Sequence, residues 1–208
     1  MSERYWRVHR DTLSELGQGF LDKEDYWARK RHKEPEARIV DACGAGAMET
    51  TYRELRLARL ESRPYLAFDR LQDGALPALE LLGKTHEQIL VTLRHDPANL
   101  DWQLKTLDIV RFFSAVLSSG DITDPRWKMK WGLVTLHLKH RPDRAARHLF
   151  ITDTETDVRS AQELGFATVA VANGIREPSI LEAAHPDRLF ARTSDLLDPA
   201  GLRAFRDA

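Results

Sequence analysis

Short apolar runs separated by helical stretches recur from about residue 70 onward, and this repetition constrains the fold more than any other feature of the chain. The runs are Gln88-Ile89-Leu90-Val91-Thr92, Ala115-Val116-Leu117-Ser118, His148-Leu149-Phe150-Ile151-Thr152-Asp153, Ala167-Thr168-Val169-Ala170-Val171 and Arg188-Leu189-Phe190-Ala191. Helical patterns over 75–82, 100–107, 131–139 and 158–164 precede or separate them. Strands that are apolar throughout, rather than alternating, are buried on both faces, and a helix between strands supplies the crossover that parallel pairing needs. The pattern predicts an α/β fold whose parallel sheet is flanked by helices.

Residues 1 to about 65 read differently, as helices without a convincing buried strand. Val8, Leu13, Leu16 and Phe20 make a loose helical stripe interrupted by Gly17 and Gly19. Asp22, with Asp25 three residues on, marks a helix start, and Tyr26 and Trp27 ride on that helix. A last helix over 48–62 carries Tyr52, Leu55, Leu57 and Leu60. The expected organisation is an all-helical region over 1–65 followed by an α/β core over 66–208.

The chain has 208 residues, enough for one domain with a proper core, and a formal net charge of −1, which supplies no footprint for nucleic acid or a membrane surface. Cys43 is its only cysteine, so no intrachain disulfide forms. No run approaches the ~18 apolar residues of a membrane span. The start, MSERYWRVHRD, has no apolar signal segment, and a cytoplasmic protein is expected.

In open parallel sheets, ligands bind where strands end. The first run ends in Thr92, whose hydroxyl can hold a phosphate oxygen, and Arg94 can add a charge-assisted bond. Lys128 and Lys130 stand at a helix entrance, where a lysine can neutralise crowded anions. The strongest feature is Leu149-Phe150-Ile151-Thr152-Asp153-Thr154-Glu155-Thr156-Asp157. An apolar strand delivers Asp153 at its tip, and Asp157 follows on the first turn of the next helix. Two carboxylates so spaced suit a hard cation, unless Asp153 merely caps that helix.

Taken in order, these features resemble the haloacid-dehalogenase-like (HAD) superfamily, in particular phosphoglycolate-phosphatase-like members with a helical cap. ILVT resembles the family's second motif, Lys130 (or Lys128) its third-motif lysine, and ITDTETD its fourth, with Thr152 in place of the common glycine. LGFATVAVANGIRE and HPDRLFARTSDL resemble the following strands, and FDRLQDGA resembles the return from a helical cap. The resemblance implies a HAD-like Rossmannoid core behind an N-terminal cap. It also implies Mg²⁺ held by Asp153 and Asp157, phosphate held by Thr92, Arg94 and Lys130, and hydrolysis of a small phosphorylated metabolite through an aspartyl-phosphate.

The family's first motif, DxDGT at the end of the central strand, is not found. Either Asp41-Ala42-Cys43-Gly44-Ala45 is a degenerate copy, with Arg38-Ile39-Val40 as a short strand and Asp41 as nucleophile, or residues 1–65 are the cap and the central strand is missing. The second reading predicts two strands without their usual neighbour. Their unpaired backbone groups would call for another segment, a second copy or a partner chain. A chain of that kind is either a binding or regulatory subunit or a sequence that starts after its first motif.

Overall fold

The computed structural model describes residues 1–121, 129–139 and 148–198. Its contacts divide the chain into two units, Met1–Arg70 and Leu71–Ala208.

The first unit is helical: α1 (Ser2–Glu15), α2 (Lys23–Arg31), α3 (Glu36–Ala42), α4 (Glu49–Leu60) and α5 (Arg63–Leu66). In α1 the buried residues Arg4, Val8, His9, Thr12 and Leu13 recur at helical spacing, and this face packs on α2, α4 and α5. Asp22 caps α2 as expected, accepting the Asp25 N–H at 2.9 Å. The short strand considered over Arg38-Ile39-Val40 is instead part of α3, whose first N–H groups from Arg38 and Ile39 bond to the Pro35 carbonyl. Three residues without a strand neighbour cannot satisfy their backbone, whereas a helix does so internally while burying both Ile39 and Val40. Asp41 therefore sits on an exposed helix face and not at a strand tip.

The second unit runs α6 (Ala75–Leu82), β1 (Ile89–Thr92), α7 (Pro97–Thr106), β2 (Ala115–Ser118), α8 (Lys130–Lys139), β3 (Leu149–Thr152), α9 (Glu155–Glu163), β4 (Ala167–Val171), α10 (Pro178–Glu182) and β5 (Arg188–Phe190). Among the described residues all pairing is parallel, as the apolar runs predict, but the strands form two ladders: β1 with β2, and β3-β4-β5.

Side-chain alternation along β4 shows how the layers close. Val169 and Val171 join Ala78, Leu82, Leu149, Phe190 and Leu196 on one face, while Ala170 and Ala172 join Val158 and Leu181 on the other. The β1–β2 ladder has its own cluster, in which Leu90 and Val116 meet Leu76 and Leu79 around Leu100, Leu104 and Ile109. So α6 belongs to both clusters and covers both ladders on one face. On the other, α8 packs against β1, β2 and α9, and α9 packs against β3 and β4. Among the described residues no strand pairing joins the two ladders.

Candidate functional site

The end of β3 gathers Thr152, Asp153, Thr154 and Asp157 with Lys130 and the Ile175 N–H. Thr154, not Asp153, caps α9: its hydroxyl accepts the Asp157 N–H at 3.3 Å. The capping explanation of Asp153 is thereby removed. Asp153 lies in the turn between β3 and α9, where its Oδ2 accepts the Ile175 N–H at 3.0 Å. Gly174 permits this approach. A Cβ there would come within 2.6 Å of the Asp153 carboxyl carbon, far inside contact distance. Gly174 and Ile175, in the loop after β4, are positioning residues that sequence reading did not single out. The glycine in ANGI immediately after a buried strand was the available signal.

Asp157 is held differently. Its Oδ2 accepts both Lys130 Nζ at 2.6 Å and the Thr152 hydroxyl at 2.8 Å. The carboxylate side chain is 10% exposed and the lysine 27%, so the ion pair is largely shielded from water. Lys130 opens α8 and Asp157 lies in the first turn of α9, so this bond joins two helix N-termini. A lysine is poorly placed against a helix N-terminus by the macrodipole, and Asp157 offsets that cost. With its Oδ2 occupied in this way, Asp157 acts here as the partner that fixes the lysine. Thr152, read in the sequence only as an unusual replacement, orients that carboxylate.

Thr92 ends β1 with a turn like that at Thr152. Its hydroxyl accepts the Arg94 N–H at 3.4 Å, as the Thr152 hydroxyl accepts the Thr154 N–H at 3.3 Å. The exit loops of β1 and β2 are tied through the Arg94 carbonyl, which accepts the Gly120 N–H at 3.0 Å and the Ser119 hydroxyl at 3.1 Å. A second unforeseen pair, Arg176 Nε on Glu155 Oε2 at 2.9 Å, fastens the loop after β4 to the start of α9.

Of the candidates, the structure thus joins Lys130 to Asp157 and sets Asp153 beside them in the β3–α9 turn, while Thr92 and Arg94 end the neighbouring ladder. Asp41 belongs to the other unit. Lys128 lies outside the described residues.

Replacing Gly174 with alanine should displace the Asp153 carboxylate from the Ile175 N–H. Crowding of this kind costs about 1–3 kcal/mol. Thermal denaturation should show the loss, and an unchanged midpoint would mean that the loop relaxes freely.

Residues 129–196 match the Hydrolase_like family, described as HAD-hydrolase-like. A phosphoglycolate phosphatase from Salmonella typhi is 27% identical over 100 residues, covering 48% of this chain and 38% of that protein. One from Yersinia pseudotuberculosis is 26% identical over 109 residues, covering 50% and 44%. The matched part is less than half the length of either relative. Among solved structures, a haloacid dehalogenase-like hydrolase from Streptococcus pneumoniae superimposes with a TM-score of 0.75 at 18% identity, covering 93% of this chain and 89% of that one. A HAD-superfamily hydrolase of subfamily IA from Geobacter sulfurreducens gives 0.67 at 17%, covering 95% and 88%. At such identities these structures establish the fold.

Proposed function

From the premise that this chain is haloacid-dehalogenase-like, we propose that the strand ends at Thr92 and Thr152 form a Mg²⁺-dependent site for a phosphate monoester, serving a phosphatase reaction. The observation that carries the reading is the Lys130–Asp157–Thr152 triad beside an Asp153 whose carboxylate is fixed by a backbone N–H. A lysine already held by an ion pair binds a phosphoryl oxygen without first losing side-chain freedom.

The donor set suits magnesium. That ion keeps several waters and takes one or two carboxylates plus substrate phosphate, rather than a full protein cage. Among the described residues no group of three or more acidic, histidine or cysteine side chains gathers. Asp153 would hold the ion, since its Oδ1 has no hydrogen bond among the described residues, and Asp157 would act through Lys130. The bound ion would neutralise charge on the phosphoryl oxygens. Thr92 would bind a phosphate oxygen through its hydroxyl, with Arg94 adding charge. Gly174 and Ile175 would keep Asp153 aimed.

By resemblance, the nucleophile is an aspartate at the tip of the central strand, which among the described residues no strand supplies. Asp41, on an exposed helix, is not assigned that role. The substrate is a small phosphorylated metabolite, and the helical first unit corresponds, by resemblance, to the family's cap.

Calorimetric titration with orthophosphate tests the reading without requiring turnover. Binding should need Mg²⁺, fall at least tenfold in Asp153→Asn, and be unchanged in Asp41→Asn. Binding indifferent to Mg²⁺ and to Asp153 would overturn it.

A further inference from the structure

We propose that the Glu155–Arg176 pair is a positioning device for Asp153. It clamps the loop after β4 so that one oxygen of that carboxylate stays occupied, and the site thereby favours Mg²⁺ over Ca²⁺. The inference rests on Asp153 being the cation ligand, and adds to that reading the residues that set ion selectivity.

The geometry centres on Ile175, which is gripped at both its polar groups. Its N–H donates to Asp153 Oδ2 at 3.0 Å, and its carbonyl accepts Arg176 Nη1 at 3.4 Å. The same guanidinium donates through Nε to Glu155 Oε2 at 2.9 Å. Arginine can do both because its donors lie in one rigid plane. The two side chains are 17% and 3% exposed, so water competes little for the pair. Glu155 is itself held, since it opens α9, where the helix dipole favours a carboxylate. The loop is thus tied to the helix whose entry turn carries Asp153.

The other end of the loop is anchored independently. Asn173 Nδ2 donates to Gln72 Oε1 at 3.4 Å, its carbonyl accepts Gln72 Nε2 at 3.1 Å, and its Oδ1 accepts the Thr193 hydroxyl at 3.2 Å. Between the two anchors, Gly174 lets the backbone lie against the Asp153 carboxylate, where any Cβ would collide. Each residue from 173 to 176 therefore carries a restraint on the loop that holds Asp153.

The consequence is chemical. With Oδ2 committed to the Ile175 N–H, Asp153 offers a cation its Oδ1. Mg²⁺ takes few protein oxygens in a strict arrangement. Ca²⁺ takes about six to eight and gains from mobile carboxylates that can give both oxygens. A clamped Asp153 suits the first ion, and a released one suits the second.

Nuclear magnetic resonance of the full chain tests this through the Ile175 amide, first metal-free and then titrated with MgCl₂ or CaCl₂ alone. The variants are Arg176→Met and the double Glu155→Met/Arg176→Met. In both, the metal-free Ile175 amide should exchange about tenfold faster, the value of one lost hydrogen bond. The ratio of Mg²⁺ to Ca²⁺ affinity should fall about tenfold or more. The double variant leaves no uncompensated Glu155 charge, so a pair that served only to neutralise that charge would return the wild-type ratio. Unchanged Ile175 protection, or a wild-type ion ratio in the double variant, would overturn the proposal. Asp153→Asn separates the two readings. If it abolishes Mg²⁺ binding while the Arg176 variants keep the wild-type ratio, the positioning role alone fails. If it binds Mg²⁺ as wild type does, the cation reading fails and the selectivity role with it.

Discussion

Lys130→Met is expected to weaken orthophosphate binding about 10- to 100-fold, the value of one charge-assisted hydrogen bond, and to destabilise the second unit at the same time. Both effects have one cause. The lysine neutralises Asp157, whose side chain is 10% exposed. Without it, that carboxylate keeps only the Thr152 hydroxyl and the surrounding α9 N-terminus. Breaking a fully buried pair costs about 3–5 kcal/mol, and with the lysine 27% exposed the expected loss is nearer 2 kcal/mol.

The double variant Lys130→Met/Asp157→Asn separates the roles. It removes the bare charge and should recover most of the stability in urea denaturation, while phosphate binding stays as weak as in the single variant. Recovery of binding in the double variant would show that Lys130 serves only to offset Asp157.

The second large effect lies in the helical unit and depends on pH. His9 is fully buried, stacked on Tyr26 with ring centroids 4.4 Å apart, and its Nδ1 lies 2.9 Å from the Tyr52 hydroxyl. Tyr52 donates to Glu36 at 3.0 Å, and Lys30 and Arg56 pair with the same carboxylate at 2.6 and 3.5 Å. Cys43 Sγ stands 3.7 Å from His9 Nε2. Burial is the main cause that lowers the His9 pKa from 6.5 to about 4, with Arg56 and Lys30 reinforcing it against Glu36. Burial likewise raises the Cys43 thiol, which argues against a reactive thiolate.

The sign follows from linkage. The unfolded chain takes up a proton on His9 near pH 6.5 and the folded chain only near 4, so this contribution is full above 6.5 and is lost as pH falls toward 4. A difference of that size corresponds to roughly 3 kcal/mol. For Glu36, burial raises the pKa, but Arg56 and Lys30 more than offset it, so the pKa is lowered. Its contribution is lost below about 4.5, a separate and lower window. His9→Phe keeps the stacking and removes the titration. Its stability should be lower at neutral pH but nearly flat between pH 6.5 and 4.5, where wild type falls. Parallel pH profiles for the two proteins would contradict the assignment.

Much of the second unit was legible in the sequence because its strands are apolar on both faces and the helices between them have ordinary starts. Ala75–Leu82, Ala115–Ser118 and Ala167–Val171 fall where the pattern places them. Asp153, Asp157 and Lys130 were legible as residue types at strand and helix ends. Their division of labour was not, because it depends on which oxygen meets which donor: Oδ2 of Asp157 on Lys130, and Oδ2 of Asp153 on Ile175. Gly174 escaped for the same reason, since a close approach between residues 21 apart leaves no local pattern. Arg38-Ile39-Val40, one of two readings left open, is helical: adjacent buried β-branched residues such as Ile39 and Val40 look like a strand fragment. That the described strands fall into two ladders, with no pairing between β1 and β3, became visible only in three dimensions.

The most direct test of the central claim is a crystal structure of the chain soaked with Mg²⁺ and orthovanadate. The account predicts oxyanion density within hydrogen-bond distance of Lys130 Nζ and the Thr92 hydroxyl, with a cation on Asp153. An oxyanion seated anywhere else, or a cation that ignores Asp153, would contradict it.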